Sequence, residues 1–142
     1  MRKILFRGKV KDIDLETCPE DGWVWGYYRQ DISGGELRHY IFNCPMEWEV
    51  IPESVGQYVG VCDDADREIF EGDVVRCCYE NHIMGHFGGA VVEEEEFVGV
   101  IEYRGGSFYI GKHYPLENFR PDEMEVIGNI FDNPDLLNSK SE

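Results

Sequence analysis

Ten residues in the middle of the chain hold the ligand types that a zinc ion prefers. The segment Cys77-Cys78-Tyr-Glu-Asn-His82-Ile-Met-Gly-His86 spaces Cys78, His82 and His86 four apart. A helix would align the three for zinc, whose structural sites take four thiolate or imidazole ligands. The flanking residues argue against a helix: Gly85, Gly88 and Gly89 disfavour one, and Cys78 ends a predicted strand. A fourth ligand would have to come from afar, from Cys62 or His113. Structural zinc sites show two tight pairs, and this segment has at best one. The competing and stronger reading is a loop with two histidines and two strand-end thiols.

A second candidate is Asp63-Asp-Ala-Asp-Arg-Glu-Ile-Phe-Glu-Gly-Asp73, with six carboxylates in eleven residues. A calcium loop needs oxygens at alternate positions, Gly at the sixth and Glu at the twelfth. Counting from Asp64, the sixth residue is Ile69 and the twelfth is Val75; counting from Asp63, the third is Ala65 and the sixth is Glu68. Both frames fail. A turn accounts for more: short Asp side chains bond their own backbone, Ile69 and Phe70 return to the core, and Gly72 supplies a positive φ. This reading puts the acids mostly on the solvent side.

Glu93, Glu94, Glu95 and Glu96 form a like-charge run. It reads as a solvated loop end; the sharper alternative is an acidic patch that mimics phosphates and captures a basic protein. Trp23, Trp25 and Tyr27 are of a kind that stacks bases in single-strand binders. Such sites also need a basic groove, and only Arg29 is near in sequence, so sheet-face packing is the stronger reading. There is no Gly-x-Ser-x-Gly, phosphate loop or His-Glu-x-x-His motif, and the chain is expected not to be an enzyme and to need no cofactor.

The elements that must position these groups are short strands. Lys3–Lys9 reads as one. In Gly22-Trp-Val-Trp-Gly-Tyr-Tyr28, alternation puts Trp23, Trp25 and Tyr27 on one face and Val24 and Tyr28 on the other. Ser33-Gly34-Gly35 turns into a strand at 37–42. Residues 45–52 read as a connection, and Pro52-Glu-Ser54 as one helical turn. Strands follow at 57–62, 74–79, 97–104, 107–110 and 124–130, with Gly105-Gly106 as a hairpin turn. Residues 80–97 read as a long loop, of a length that is usually functional or disordered. Asn133-Pro134 opens a short terminal helix. The pattern predicts a mainly β protein: an antiparallel β meander over 1–50, packed on a small, partly open barrel over 51–142, with a short C-terminal helix.

The chain has 142 residues, 42% hydrophobic and 13% aromatic, enough apolar surface to fold. Its net charge is −16, which repels phosphate backbones on average. Arg2, Lys3, Arg7, Lys9 and Lys11 all precede the first acid, Asp12. No stretch reaches the ~18 apolar residues of a membrane span, and the start lacks the apolar run of a signal peptide, so a cytoplasmic protein is expected. Five cysteines at irregular spacing read as free thiols.

Several runs taken in order, Val55-Gly-Gln-Tyr-Val-Gly60, Ile69-Phe-Glu-Gly-Asp-Val-Val75, Gly99-Val-Ile-Glu-Tyr103 and Val126-Ile-Gly-Asn-Ile130, resemble the YopX family of bacteriophage and prophage proteins. Phe6-Arg7, Gly22-Trp-Val-Trp-Gly-Tyr27 and Asp132-Asn-Pro-Asp-Leu-Leu137 fit the same pattern. The resemblance implies a small phage-encoded protein with an SH3-like β-barrel in its second half and no assigned activity. The expected function is a non-catalytic accessory or binding protein in the bacterial host cytoplasm. It would act through a host or phage protein, as a possible homo-oligomer, with nucleic acid and membrane set aside. An acidic decoy for a basic host protein and a small zinc-binding protein are the alternatives.

Overall fold

The structure is a computed structural model that describes residues 3–11, 19–85 and 88–138. The chain is mainly β, in two antiparallel sheets, with one short helix. It divides into two compact units, Met1–Gly60 and Val61–Glu142. The division lies after Gly60 rather than after Val50 because the fifth strand pairs back onto the first, with Phe6 opposite Gln57 and Arg7 opposite Gly56.

The first unit holds β1 (Phe6–Lys9), β2 (Trp23–Ser33), β3 (Glu36–Asn43), β4 (Met46–Glu49) and β5 (Gly56–Cys62), the last running across the division. Spatial order is β4-β3-β2-β1-β5. The alternation in β2 falls as its sequence predicts. Val24 joins Val10, Ile41 and Val50 in the core, with Phe6, Tyr28, Trp48 and Val55 packed against them, while Tyr27 faces outward. Burying each such aliphatic side chain stabilises the unit by roughly 1.5–3 kcal/mol. Gly34 and Gly35, at φ 62° and 82°, close the β2–β3 hairpin with the left-handed pair that a two-residue turn requires. Gly26 is needed for space, since a Cβ there would run into the Phe42 carbonyl. Residues 46–49, expected as a connection, form strand β4 paired with β3; the pairing of Ile41 with Trp48 carries an indole to the core edge.

The second unit holds β6 (Glu68–Phe70), β7 (Asp73–Met84), β8 (Ala90–Arg104), β9 (Ser107–Ile110), β10 (Tyr114–Pro115), β11 (Met124–Asn129) and α1 (Asp135–Asn138). Its sheet runs β10-β9-β8-β7-β11 and is not closed: among the described residues β10 and β11 remain as its two edges. Val74 and Val75 point to opposite faces of β7, yet both are fully buried, so this part of the sheet is covered on both sides. Ile69, Phe70, Cys77, Ile101, Ile110, Leu116 and Met124 are buried with them.

The acidic stretch is the turn expected, but two of its carboxylates are not at the solvent side. Asp63 and Asp73 are each 1% exposed. Asp63 Oδ1 accepts the Ala65 and Arg67 backbone N–H groups at 3.0 and 2.9 Å. Its Oδ2 accepts Arg67 Nε–H at 3.1 Å and the Val126 N–H at 2.9 Å. Asp73 Oδ2 accepts the Phe70 N–H at 2.8 Å. Burial works against ionised Asp63, but the three backbone donors and the Arg67 charge outweigh it and hold the carboxyl below its usual range. The stability this gives is complete above the unfolded value of about 3.9 and drains as pH falls towards the lower folded value. Asp63→Asn is expected to cost about 2–3 kcal/mol in urea unfolding at neutral pH. The variant should also lose stability less steeply on acidification than the parent does.

Candidate functional site: an acidic β-ribbon

Strands β7 and β8 remain paired far beyond the sheet that anchors them. Residues Val74 to Met84 lie opposite Val100 to Ala90 without a break. β11 holds β7 only as far as Cys77, and β9 holds β8 only from Ile101 onward. Residues 78–84 and 90–96 are therefore a two-stranded ribbon. Segment 80–97, expected as a loop, is mostly strand, with its reversal at 85–89. Gly85, Gly88 and Gly89 mark that reversal, so they argue correctly against a helix but not against a strand.

Alternation distributes the acids. Cys78 lies opposite Glu96, Tyr79 opposite Glu95, Glu80 opposite Glu94 and Asn81 opposite Glu93. Directly opposed residues share a face, so Glu93 and Glu95 lie with Tyr79 and Asn81, and Glu94 and Glu96 with Cys78 and Glu80. Glu93, Glu94, Glu95 and Glu96 are all exposed, as are Val91 and Val92 beside them. No Lys or Arg occurs between Arg76 and Arg104. The Glu80–Glu94 pairing sets like charges across the ladder, which disfavours the arm.

Two features at the base offset that cost. Tyr79 Oη donates to Glu95 Oε2 at 2.6 Å, and Asn81 Nδ2 donates to Glu95 Oε1 at 3.2 Å. The bond to Glu95 pushes the Tyr79 hydroxyl up to about 12 and holds Glu95 below its usual range. Phe97 then gathers three rings: Tyr114 stacked at 4.1 Å, Phe119 at 5.7 Å and Tyr79 edge-on at 6.1 Å between centroids. Such pairs add about 0.5–1.5 kcal/mol each beyond area burial. Phe97→Ala is accordingly expected to lower stability by about 2–4 kcal/mol, read as a shift of the urea midpoint.

Of the zinc candidates, Cys78 has a described side chain, whereas that of His82 lies outside what the structure describes. Cys78 and His82 share one strand, four residues apart, which separates their Cα atoms by about 13 Å. His86 lies outside the described residues. Among the described residues no three His, Cys, Asp or Glu side chains gather in a way that could hold a metal ion. The thiols are also poorly placed for nucleophilic chemistry. Burial pushes Cys77 up to about 12. Desolvation and then the Glu96 carboxylate, which accepts the Cys78 S–H at 3.5 Å, push Cys78 upward. A thiolate is the reactive form, so in the folded protein Cys78 should alkylate with iodoacetamide only above the ordinary thiol range. Glu96→Gln should move that onset to lower pH.

The residues that sequence reasoning missed at this site are Tyr79, Asn81 and Phe97. Their role depends on which residue of β8 each one meets, and a reading that ends β7 at Tyr79 gives them no partners. No helix of the described residues is long and apolar enough to cross a membrane.

A comparison with curated proteins finds no match. A family model described as YopX protein matches residues 6–138, a span that covers most of each unit and the whole ribbon. The chain belongs to the YopX protein family.

Proposed function

We propose that this is a small non-catalytic binding protein of phage or prophage origin, which presents its ribbon to a basic protein in the host cytoplasm. The observation that supports this is the ribbon itself. It carries exposed acids on both faces, no Lys or Arg, and exposed Val91 and Val92. Four consecutive exposed glutamates on an arm without Lys or Arg suit a cationic partner, which would relieve their mutual repulsion. Complementary charge of this kind mainly sets encounter rate and partner choice. The outer strand edges of the ribbon add a second mode, since unpaired backbone groups accept another strand. A homo-oligomer built through that edge belongs to the same reading. So does an SH3-like arrangement of the second unit, for which five antiparallel strands in one sheet are the support.

The decoy reading is a special case, in which the partner's basic surface is one that otherwise holds nucleic acid. The test is titration of a purified basic nucleoid protein with the full chain and with a variant carrying Gln at 93, 94, 95 and 96, at low and high salt. Binding that weakens steeply with salt and is lost in the variant is expected. Repulsion in the arm is removed but the charge-assisted bonds that Glu95 accepts from Tyr79 and Asn81 are weakened, so a loss of binding counts only where the circular dichroism of the variant matches that of the parent. Binding that survives the four substitutions would move the interface away from the ribbon.

A further inference from the structure

The ribbon changes chemistry along its length. From the base outward, β8 presents Glu96, Glu95, Glu94 and Glu93, then Val92 and Val91. A strand advances about 3.3 Å per residue, so Val92 and Val91 stand roughly 13 and 17 Å beyond Glu96. On the facing strand, Ile83 and Met84 hold the ladder positions opposite Val91 and Ala90. The outer end of the ribbon is thus apolar in sequence on both strands, and the acids lie between it and the sheet.

Val91 is 47% exposed and Val92 51%. Neighbours on a strand point to opposite faces, so each face of the ribbon carries one open valine. Strand propensity alone does not ask for them, because threonine suits a strand as well and is at home in water. The positions just below are all acids or an amide: Glu80, Asn81 and Glu93, Glu94, Glu95 and Glu96. The bonds from Tyr79 and Asn81 to Glu95 fix the ladder there. The two valines are therefore presented on a paired segment, which loses little freedom when it binds.

The acids beside the valines limit what can cover them. Glu93 adjoins Val92, well within the Debye length of about 8 Å at physiological salt. A second copy of the ribbon would bring its own glutamates against these. Phosphates of lipid or nucleic acid would meet the same repulsion. A protein surface bearing cations suits both the valines and their collar of charge. We infer that Val91 and Val92 anchor the interface: they enter a cleft with two apolar walls on a partner protein, and Glu93, Glu94, Glu95 and Glu96 lie against Lys and Arg on its rim. An apolar centre within a polar rim is the usual anatomy of a protein interface, and the buried centre carries most of its energy. The inference rests on the reading of the ribbon as a binding arm for a basic protein, and adds which residues hold the partner.

The test is surface plasmon resonance of the full chain on an immobilised basic nucleoid protein and, separately, on polylysine, at low and high salt. The parent is compared with a Val91→Thr, Val92→Thr double variant and with the variant carrying Gln at 93, 94, 95 and 96. Threonine keeps the β-branched shape of valine, so the urea midpoint should not move. On the nucleoid protein the threonine variant should dissociate roughly tenfold faster at both salts, with its association rate unchanged. The Gln variant should instead associate more slowly and lose the salt dependence. Polylysine offers cations without a cleft, and the parent and the threonine variant should bind it alike. A dissociation rate indifferent to the two threonines, with binding still lost in the Gln variant, would overturn the anchor and leave the reading of the ribbon standing. Binding indifferent to both variants, or none by the parent, would remove the reading and the anchor together. An equal loss of the threonine variant on polylysine would also overturn the anchor, since the substitutions would then have disturbed the arm itself.

Discussion

One buried carboxylate organises the second unit. Asp63 accepts hydrogen bonds from Ala65, Arg67 and Val126, so a single side chain both shapes the turn that enters the unit and ties it to the last strand. The Asp64 N–H adds a bond to the Met124 carbonyl at 2.9 Å. β11 is thereby held at both its start and its middle before it pairs with β7, and β7 is the strand from which the ribbon extends. A buried charge is tolerable only when its donors are supplied in full, and here most are backbone groups that no substitution of a neighbour's side chain removes.

Much of the architecture was legible in local patterns. The alternation Trp23, Trp25, Tyr27 against Val24, Tyr28 identified both faces of β2, and Gly105-Gly106 identified a hairpin that the structure closes at φ 57° and 89°. The failures share a cause, which is that the deciding partner is distant in sequence. Asp63 reads as a surface acid until Val126 is brought to it. The run Glu93–Glu96 reads as a loop because glutamates are poor strand formers in isolation. Its strand is sustained by pairing with Tyr79 and Asn81 and by the Phe97 ring cluster at its base. Residues 46–49 follow Pro45 and look like a connection until Trp48 finds Ile41.

The same dependence on pairing governs the candidate sites. Cys78 and His82 share a helical spacing that a strand pulls apart, whereas Arg7 and Trp25, eighteen positions apart in the sequence, become neighbours through register alone. Charge is sorted in parallel with this. Acids accumulate in the second unit and on its ribbon, and cations accumulate on the first strand of the first unit.

The ribbon also constrains how the protein can vary. Each strand residue beyond Cys77 faces one side or the other strictly by parity. Adding two residues to each strand lengthens the arm and leaves every face as it was. Adding one to a single strand slips the register: Glu95 would leave Tyr79, Glu94 or Glu96 would take its place, and the acids of the two faces would exchange. An insertion below the tip therefore keeps the faces of the arm as they are only in even steps, while its base stays fixed.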